Sequence, residues 1–364
     1  MKQFLKFSFL LILTLNIFGC SEEQLTDQAK AERKLKIKED IKHHLKDAHD
    51  FHLFTIKGEI VNGVKQEDKH IGFPLPVILI DGGLHFFMSS GFHHGETVVE
   101  SKGMFYKLFH DKIYKTDSEG SIDFDEENHP LNEQPFDISI TKSVLSVILI
   151  SMLIFFLFKK MAKNYNTSSL PKGFGKFVEP IIIFVRDEIA IPNIGEKNYS
   201  KYMSYLLTIF FFIWFINLTG LTPLGINVTG NIAVTAALAI MTFVITTFSG
   251  KKDYWKHIFW MPGVPTPMKF VLAPIELLGV IIKPFALLIR LYANISAGHI
   301  VLMSLIGLLF VFQNWFARGA FLGLTVFLSL IELLVAFLQA YIFTMLTALY
   351  FGMAVEEHDH EHAH

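Results

Sequence analysis

Between residues 276 and 339 two long apolar stretches carry Glu276, Lys283, Arg290, Asn294, His299, Glu332 and Gln339. Glu276, Lys283 and Arg290 are seven residues apart. Seven helical steps of about 100° fall only about 20° short of two turns, so these three share one helical stripe. Asn294 and Ala297 continue that stripe at i+4 and i+7 from Arg290, and Glu332, Ala336 and Gln339 repeat the spacing on a later segment. A guanidinium keeps its charge at any physiological pH, so Arg290 needs a carboxylate or water nearby. His299 lies nine residues beyond Arg290, half a turn off its stripe, and so serves a different environment on a straight helix. Glu332 is an acidic group available to pair with it. Histidine and carboxylate groups pass protons at accessible pH when water connects them. The chemistry available is movement of a proton or other ion past a fixed cation. Glu276 and Lys283 also admit a purely structural reading, as snorkelling or ion-paired groups near the end of their segment.

The elements that must hold these groups span a membrane. Residues 140–158, 202–221 and 232–249 are apolar runs of nineteen, twenty and eighteen residues, with Lys142 their single charge. Each crosses about 30 Å of hydrocarbon at about 1.5 Å per residue. Residues 271–312 and 320–353 are longer apolar stretches, which must tilt steeply or break, and the loop from Gln313 to Arg318 folds them into an antiparallel hairpin. A charge at mid-membrane costs at least about 2.5 to 3.5 kcal/mol, so the polar set must face a bundle interior or a watery path. Eight Lys and Arg fall in 159–201 and four in 250–270, against none in 222–231 and one, Arg318, in 313–319. The positive-inside rule puts the first two segments in the cytoplasm, the N-terminal part outside and the C-terminus inside.

The rest of the chain is of another kind. The 364 residues carry a formal net charge of -2, 51% hydrophobic residues and one Cys, which excludes a disordered chain, a basic nucleic-acid binder and a disulfide scaffold. Residues 21–139 hold 14 basic and 23 acidic residues, whereas 140–364 hold 16 and 11. Residues 1–20 have a secretory leader's layout, two lysines before a twelve-residue apolar run ending at Gly19-Cys20. Either the leader is simply removed or Cys20 is lipidated as in bacterial lipoproteins. Residues 22–50 suggest a solvated helix or tether. Phe51–Ile56 and Val77–Ile80 read as strands, and Asn62-Gly63 and Asp81-Gly82-Gly83 as hairpin turns, giving a small β-rich extracytoplasmic extension. Its histidines, among them His43, His44, His49, His52, His93 and His94, match no metal-site spacing and are expected on solvated surface. An acidic linker runs from Ser118 to Asp137. Residues 358–364 form a His-rich tail, and Trp255 to Pro267 is expected at the cytoplasmic interface. No phosphate-cradling glycine loop, nucleophile triad or metal motif stands out, so neither catalysis nor a cofactor is expected.

Arg290-Leu-Tyr-Ala-Asn294-Ile-Ser-Ala297-Gly298 resembles the signature of subunit a of F-type ATP synthases. Similar in order and spacing are Asn217-Leu218 with Pro223, Asn231 to Thr235, Glu276 and Lys283, and Leu338-Gln339-Ala340; the likeness spans Asp137 to Glu357. The resemblance implies an all-α polytopic membrane protein with five crossing helices, including a long tilted C-terminal hairpin, preceded by the partly β extension. It implies a non-catalytic, proton-translocating stator subunit in the bacterial inner membrane, with two half-channels beside a rotating c-ring. Partners would be the ring, the peripheral-stalk b subunit and the remaining synthase subunits, in the bilayer and without nucleic acid. Arg290 then takes the place of the essential arginine, Asn294 and Gln339 of its polar companions, and His299 with Glu332 of a proton-access pair, with Glu276 and Lys283 in support. His on the first arm and the acid on the second reverses the order common in bacterial relatives, which leaves open which group takes the proton first. The extension is a second departure and has no role in the family pattern. Two other readings are an ion-coupled secondary transporter, disfavoured by the lack of an internal repeat, and an anchored surface lipoprotein, which would need one span rather than five.

Overall fold

The computed structural model describes residues 35, 47–56, 60–61, 64–65, 69–127, 129–165, 173–222, 228–261, 264–312 and 314–356. The leader, most of the 22–50 segment, His43, His44 and the His-rich tail lie outside them. Residues 44–300 with 329–364 form one compact unit, and 1–43 with 301–328 a second.

Among the described residues, five helices are long and apolar enough to cross a membrane: α1 (Lys142–Tyr165), α4 (Tyr199–Gly220), α5 (Ile232–Ser249), α7 (Thr266–Val311) and α8 (Trp315–Val355). Between α1 and α4 the basic segment is itself helical. α2 (Gly175–Phe184) runs through a π-helical turn at Val185–Ala190 into α3 (Ile191–Ile194). A short α6 (Lys252–Phe259) precedes α7. In the first unit the core gathers on α4, whose Leu206, Phe210, Phe211 and Ile213 are fully buried against Val185 and Ile189, Leu287 and Leu291 of α7, and Phe343 and Phe351 of α8. Outward side chains such as Phe155, Phe248 and Phe285 are exposed, as lipid-facing positions require.

The two long helices are continuous, although α7 contains Pro274 and Pro284. At about 1.5 Å per residue, the 46 residues of α7 would reach about 69 Å, more than twice the hydrocarbon thickness. Since the helix does not break, tilt has to absorb the excess. The turn is shorter than the six-residue loop expected, because α8 begins at Trp315. The Asn314 side chain accepts a hydrogen bond from the Phe316 amide at 3.0 Å, which starts the helix before the apolar run does. Within the second unit, Phe312 stacks on Phe321 with centroids 5.1 Å apart.

The extension is β-rich. β1 (Asp50–Ile56) pairs antiparallel with β4 (Lys69–Pro74), and β2 (Ile60–Val61) with β3 (Val64–Lys65). β5 (Pro76–Ile80) and β6 (Leu84–Met88) form the hairpin expected at Asp81-Gly82-Gly83, with Gly82 at φ +62°. β7 (Val98–Ser101), β8 (Met104–Phe109) and β9 (Lys112–Thr116) make a separate meander. Val77, Leu79, Phe92, Tyr106 and Ile113 close the core. Burial, aided by the neighbouring Asp81 carboxylate, pushes the Tyr106 phenol up to about 12. The acidic linker ends as a strand: β10 (Phe136–Asp137) pairs with β5. One expectation is corrected there. His49 is buried, 4% exposed, because Asp137 meets its Nε2 at 2.8 Å. A buried polar ring needs such a partner.

Candidate functional site

Arg290 stands exposed on α7, and no described residue forms an ion pair or hydrogen bond with it. One turn on, the exposed Asn294 donates from Nδ2 to Oε1 of Gln339, 3.0 Å away on α8. Gln339 is buried, 2% exposed, and Ala336 beneath it equally so. The two helices therefore meet through the polar stripes read from the sequence. The Cβ of an alanine at Gly298 would come within 2.8 Å of Oε1 of Glu332, so the arms also approach closely at that level.

Further along α7 than Arg290 lies a small pocket, with room for about one water, lined by Asn217 and Gly220 of α4, Thr229, His299 of α7, and Glu332 of α8. Thr229 donates to Oδ1 of Asn217 at 2.8 Å. The Asn217 Nδ2 and His299 Nε2 atoms are buried without a protein partner. His299 and Glu332 thus share this cavity without a hydrogen bond between them among the described residues. Buried polar atoms left without a protein partner beside such a pocket are groups that a bound water satisfies.

Before Arg290 along α7, a second small pocket, with room for about one water, is lined by Thr242 and Thr246 of α5, Tyr254 of α6, Lys283 of α7, and Tyr350 and Met353 of α8. Tyr205 and Thr242 share a hydrogen bond at 3.0 Å, and Thr246 donates to the Thr242 carbonyl at 2.8 Å. The Lys283 ammonium sits 5.7 Å from the Tyr350 ring centroid and 3.9 Å from the Met353 sulfur. Along α7, Lys283 is about 10 Å before Arg290 and His299 about 13 Å after it. Along α7 the exposed Arg290 thus falls between Lys283 of one pocket and His299 of the other.

Residues 144–352, which include all of these groups but Met353, match the ATP synthase A chain family. The chain belongs to this family of F-type ATP synthase membrane subunits. It is similar to ATP synthase subunit a of Chloroherpeton thalassium, 44% identical over 237 residues, covering 62% of this chain and 69% of that one. Against ATP synthase subunit a 2 of Chlorobaculum tepidum the identity is 42%, covering 63% and 67% of the two chains. Against ATP synthase subunit a of Myxococcus xanthus it is 40%, covering 62% and 78%. Membership in the ATP synthase A chain family sets ATP synthesis and ion transport across a membrane as the protein's setting and displaces the secondary-transporter alternative. Residues 40–138 match a second family, a domain of unknown function (DUF8433).

Several lining residues escaped the sequence reading. Thr229, Tyr254 and Tyr350 are ordinary in type and carry no unusual cost at membrane depth, so nothing marks them until the helices are packed. Thr242 and Thr246 carry a faint signal, two hydroxyls four apart in an apolar run.

Proposed function

We propose that this chain is the proton-translocating stator subunit a of a bacterial F-type ATP synthase, with Arg290 facing the carboxylate of a rotating c-ring. The observation that carries the reading is an exposed arginine with no acid partner among the described residues, set along one helix between Lys283 of one pocket and His299 of another. A cation held at membrane depth needs a counter-charge or water, and an acid arriving on a neighbouring subunit supplies it. The His299–Glu332 cavity serves as one half-channel and the Lys283–Tyr350 cavity as the other.

A ring carboxyl reaching Arg290 is favoured in its charged form, so it releases its proton to one half-channel and takes another from the opposite one. The same guanidinium repels a hydrated proton that attempts to run directly between the cavities. Lysine would serve less well, because a desolvated ammonium loses its proton and opens the leak. Asn294 and Gln339 hold the polar surface beside the arginine, and His299 and Glu332 exchange protons with water. Each proton crossing 100 mV gains about 2.3 kcal/mol, which coupling turns into rotation. Nucleotide chemistry belongs to partner subunits, and this chain is not itself catalytic. The c-ring and the peripheral-stalk b subunit are its neighbours in the inner membrane, with residues 21–139 outside, 140–357 in the membrane and the tail in the cytoplasm. Arg290→Ala should abolish proton-driven ATP synthesis in inverted vesicles while the complex still assembles. Synthesis at the normal rate would refute the proposal.

A further inference from the structure

The sheet of β10, β5 and β6 has one face that the core of the extension does not use. Directly opposite residues of antiparallel strands share a face. The register sets Ile80 between Phe136 and Leu84, and Ile78 between Ile138 and Phe86. A third row follows where the Ile140 amide donates to the Pro76 carbonyl at 3.2 Å, with Met88 on the far side of Pro76. Every side chain in the three rows is apolar. The alternate positions, Val77, Leu79 and His85, are buried, whereas Phe86 is 64% and Phe136 68% exposed. At about 3.3 Å per residue and about 4.8 Å per strand, the array measures about 13 by 10 Å between backbone positions. A contiguous apolar patch of this kind marks a contact with something other than water.

The array is fastened to the membrane helices and runs on into one of them. Asp47 accepts hydrogen bonds from the Thr141 hydroxyl at 2.9 Å, the Ser143 amide at 3.0 Å and the Asn231 side chain at 3.1 Å, which ties the start of α1 to the cap of α5. Phe51 and Leu75 share one buried cluster with Ile150 of α1 and Ile216 of α4, so the base of the extension is sunk among the helix ends. Two residues after Ile140, α1 begins, and its outward Val144 and Ile148 are exposed as the array is. From Lys142 to Phe158, the last residue before Lys159 and Lys160, α1 supplies 17 residues. These reach about 26 Å, short of the about 30 Å of hydrocarbon. Lipid therefore extends to the base of the sheet, and the headgroup layer adds about 5 to 8 Å, or about two residues of strand. An upright sheet immerses its first two rows, and any lean lowers the third. A protein partner would be held by about one hydrogen bond per 100 to 200 Å², and these side chains offer neither donor nor acceptor. The charge at their rim is a cation: the Lys102 ammonium donates to the Leu84 carbonyl at 2.6 Å. Such a rim suits phosphate headgroups. We infer that the outward face of β10, β5 and β6 seats in the headgroup and acyl boundary of the leaflet beside α1. The extension is then a membrane-seated domain, whether or not the proposed function holds.

The test uses the full chain in its assembled complex, reconstituted in liposomes of phosphatidylethanolamine and phosphatidylglycerol. A spin label is placed at Phe86→Cys or at Ile138→Cys, both in the second row, with Cys20→Ser in every variant. Its collisions with oxygen, which concentrates in lipid, are compared with its collisions with a water-soluble nickel chelate. Both positions should give the high-oxygen, low-nickel pattern of Phe155→Cys on α1, several-fold apart from Glu119→Cys in the exposed turn after β9. Few collisions with either reagent would mean that a protein partner or a second copy covers the face. Frequent collisions with nickel alone would mean that water does. Either result overturns the inference, as does lipid at Ile138 with water at Phe86. Native electrophoresis reports assembly, and Met88→Cys in the first row replaces either position if a variant fails to assemble.

Discussion

Gly298→Ala separates the cost of a crowded helix from the cost of a displaced acid. The added Cβ would meet Glu332 Oε1 at 2.8 Å and its Cδ at 3.4 Å. Ordinary contact between carbon and oxygen is about 3.4 Å, so the carboxylate has to retreat by about 0.6 Å. It is the free end of a flexible side chain beside open space, so the retreat costs little. Alanine in a helix also gains up to about 1 kcal/mol over glycine. The complex should therefore assemble normally and melt no lower than the wild type. Transport should suffer, since misplacing a reacting group by about 1 Å costs on the order of a hundredfold, and about 0.6 Å corresponds to about tenfold. Proton-driven ATP synthesis in inverted vesicles measures the rate, and native electrophoresis with a thermal melt measures the assembly. Synthesis within about twofold of wild type, in an intact complex, would show that the position of Glu332 does not govern the proton path. A complex that fails to assemble would show that the arms cannot yield as reasoned.

Two further outcomes follow from the packing and the charges. Asn294→Ala leaves the Gln339 carbonyl oxygen without its partner, at a cost of about 1 to 3 kcal/mol. The pair Asn294→Ala with Gln339→Met should recover most of that loss in a thermal melt, and equal melts for single and double variants would contradict it. At Asp137, burial works to raise the carboxyl, but hydrogen bonds from His49 and Ser139 outweigh it and hold the group below the ordinary carboxylate range. A carboxyl depressed in the folded state stabilises above its unfolded value of about 3.9 and loses that contribution as pH falls through its native value. The extension should then become protease-sensitive in acid below about pH 4, and Asp137→Asn should flatten that dependence.

Much of the membrane part was legible because burial in lipid makes errors costly. A guanidinium in an apolar helix announces itself, and spacings of four and seven placed Asn294 and Gln339 on stripes that meet at 3.0 Å. The span limits followed from hydropathy to within about five residues, except at the end of α1, which runs on through Lys159, Lys160 and Lys163 to Tyr165. The turn between α7 and α8 did not, because a single cap at Asn314 started the helix early. The helix across 175–194 was hidden by flanking lysines that read only as a cytoplasmic loop. His49 was misread for a different reason. Its partner, Asp137, is 88 residues away, and no local pattern links a histidine before the first strand to an aspartate in the last. The cavity threonines and tyrosines were invisible because their significance comes only from what faces them.

The Asp47 attachment also constrains the order in which the protein is made. Asp47 emerges 94 residues before Thr141 and 184 before Asn231, the groups it must grip. The amino-terminal β unit can complete its own sheets early, yet it cannot be fastened until the third crossing has been threaded. A nascent chain stalled before that point carries an unlatched head, and fastening it is a checkpoint that a chain passes only once its third crossing is in place.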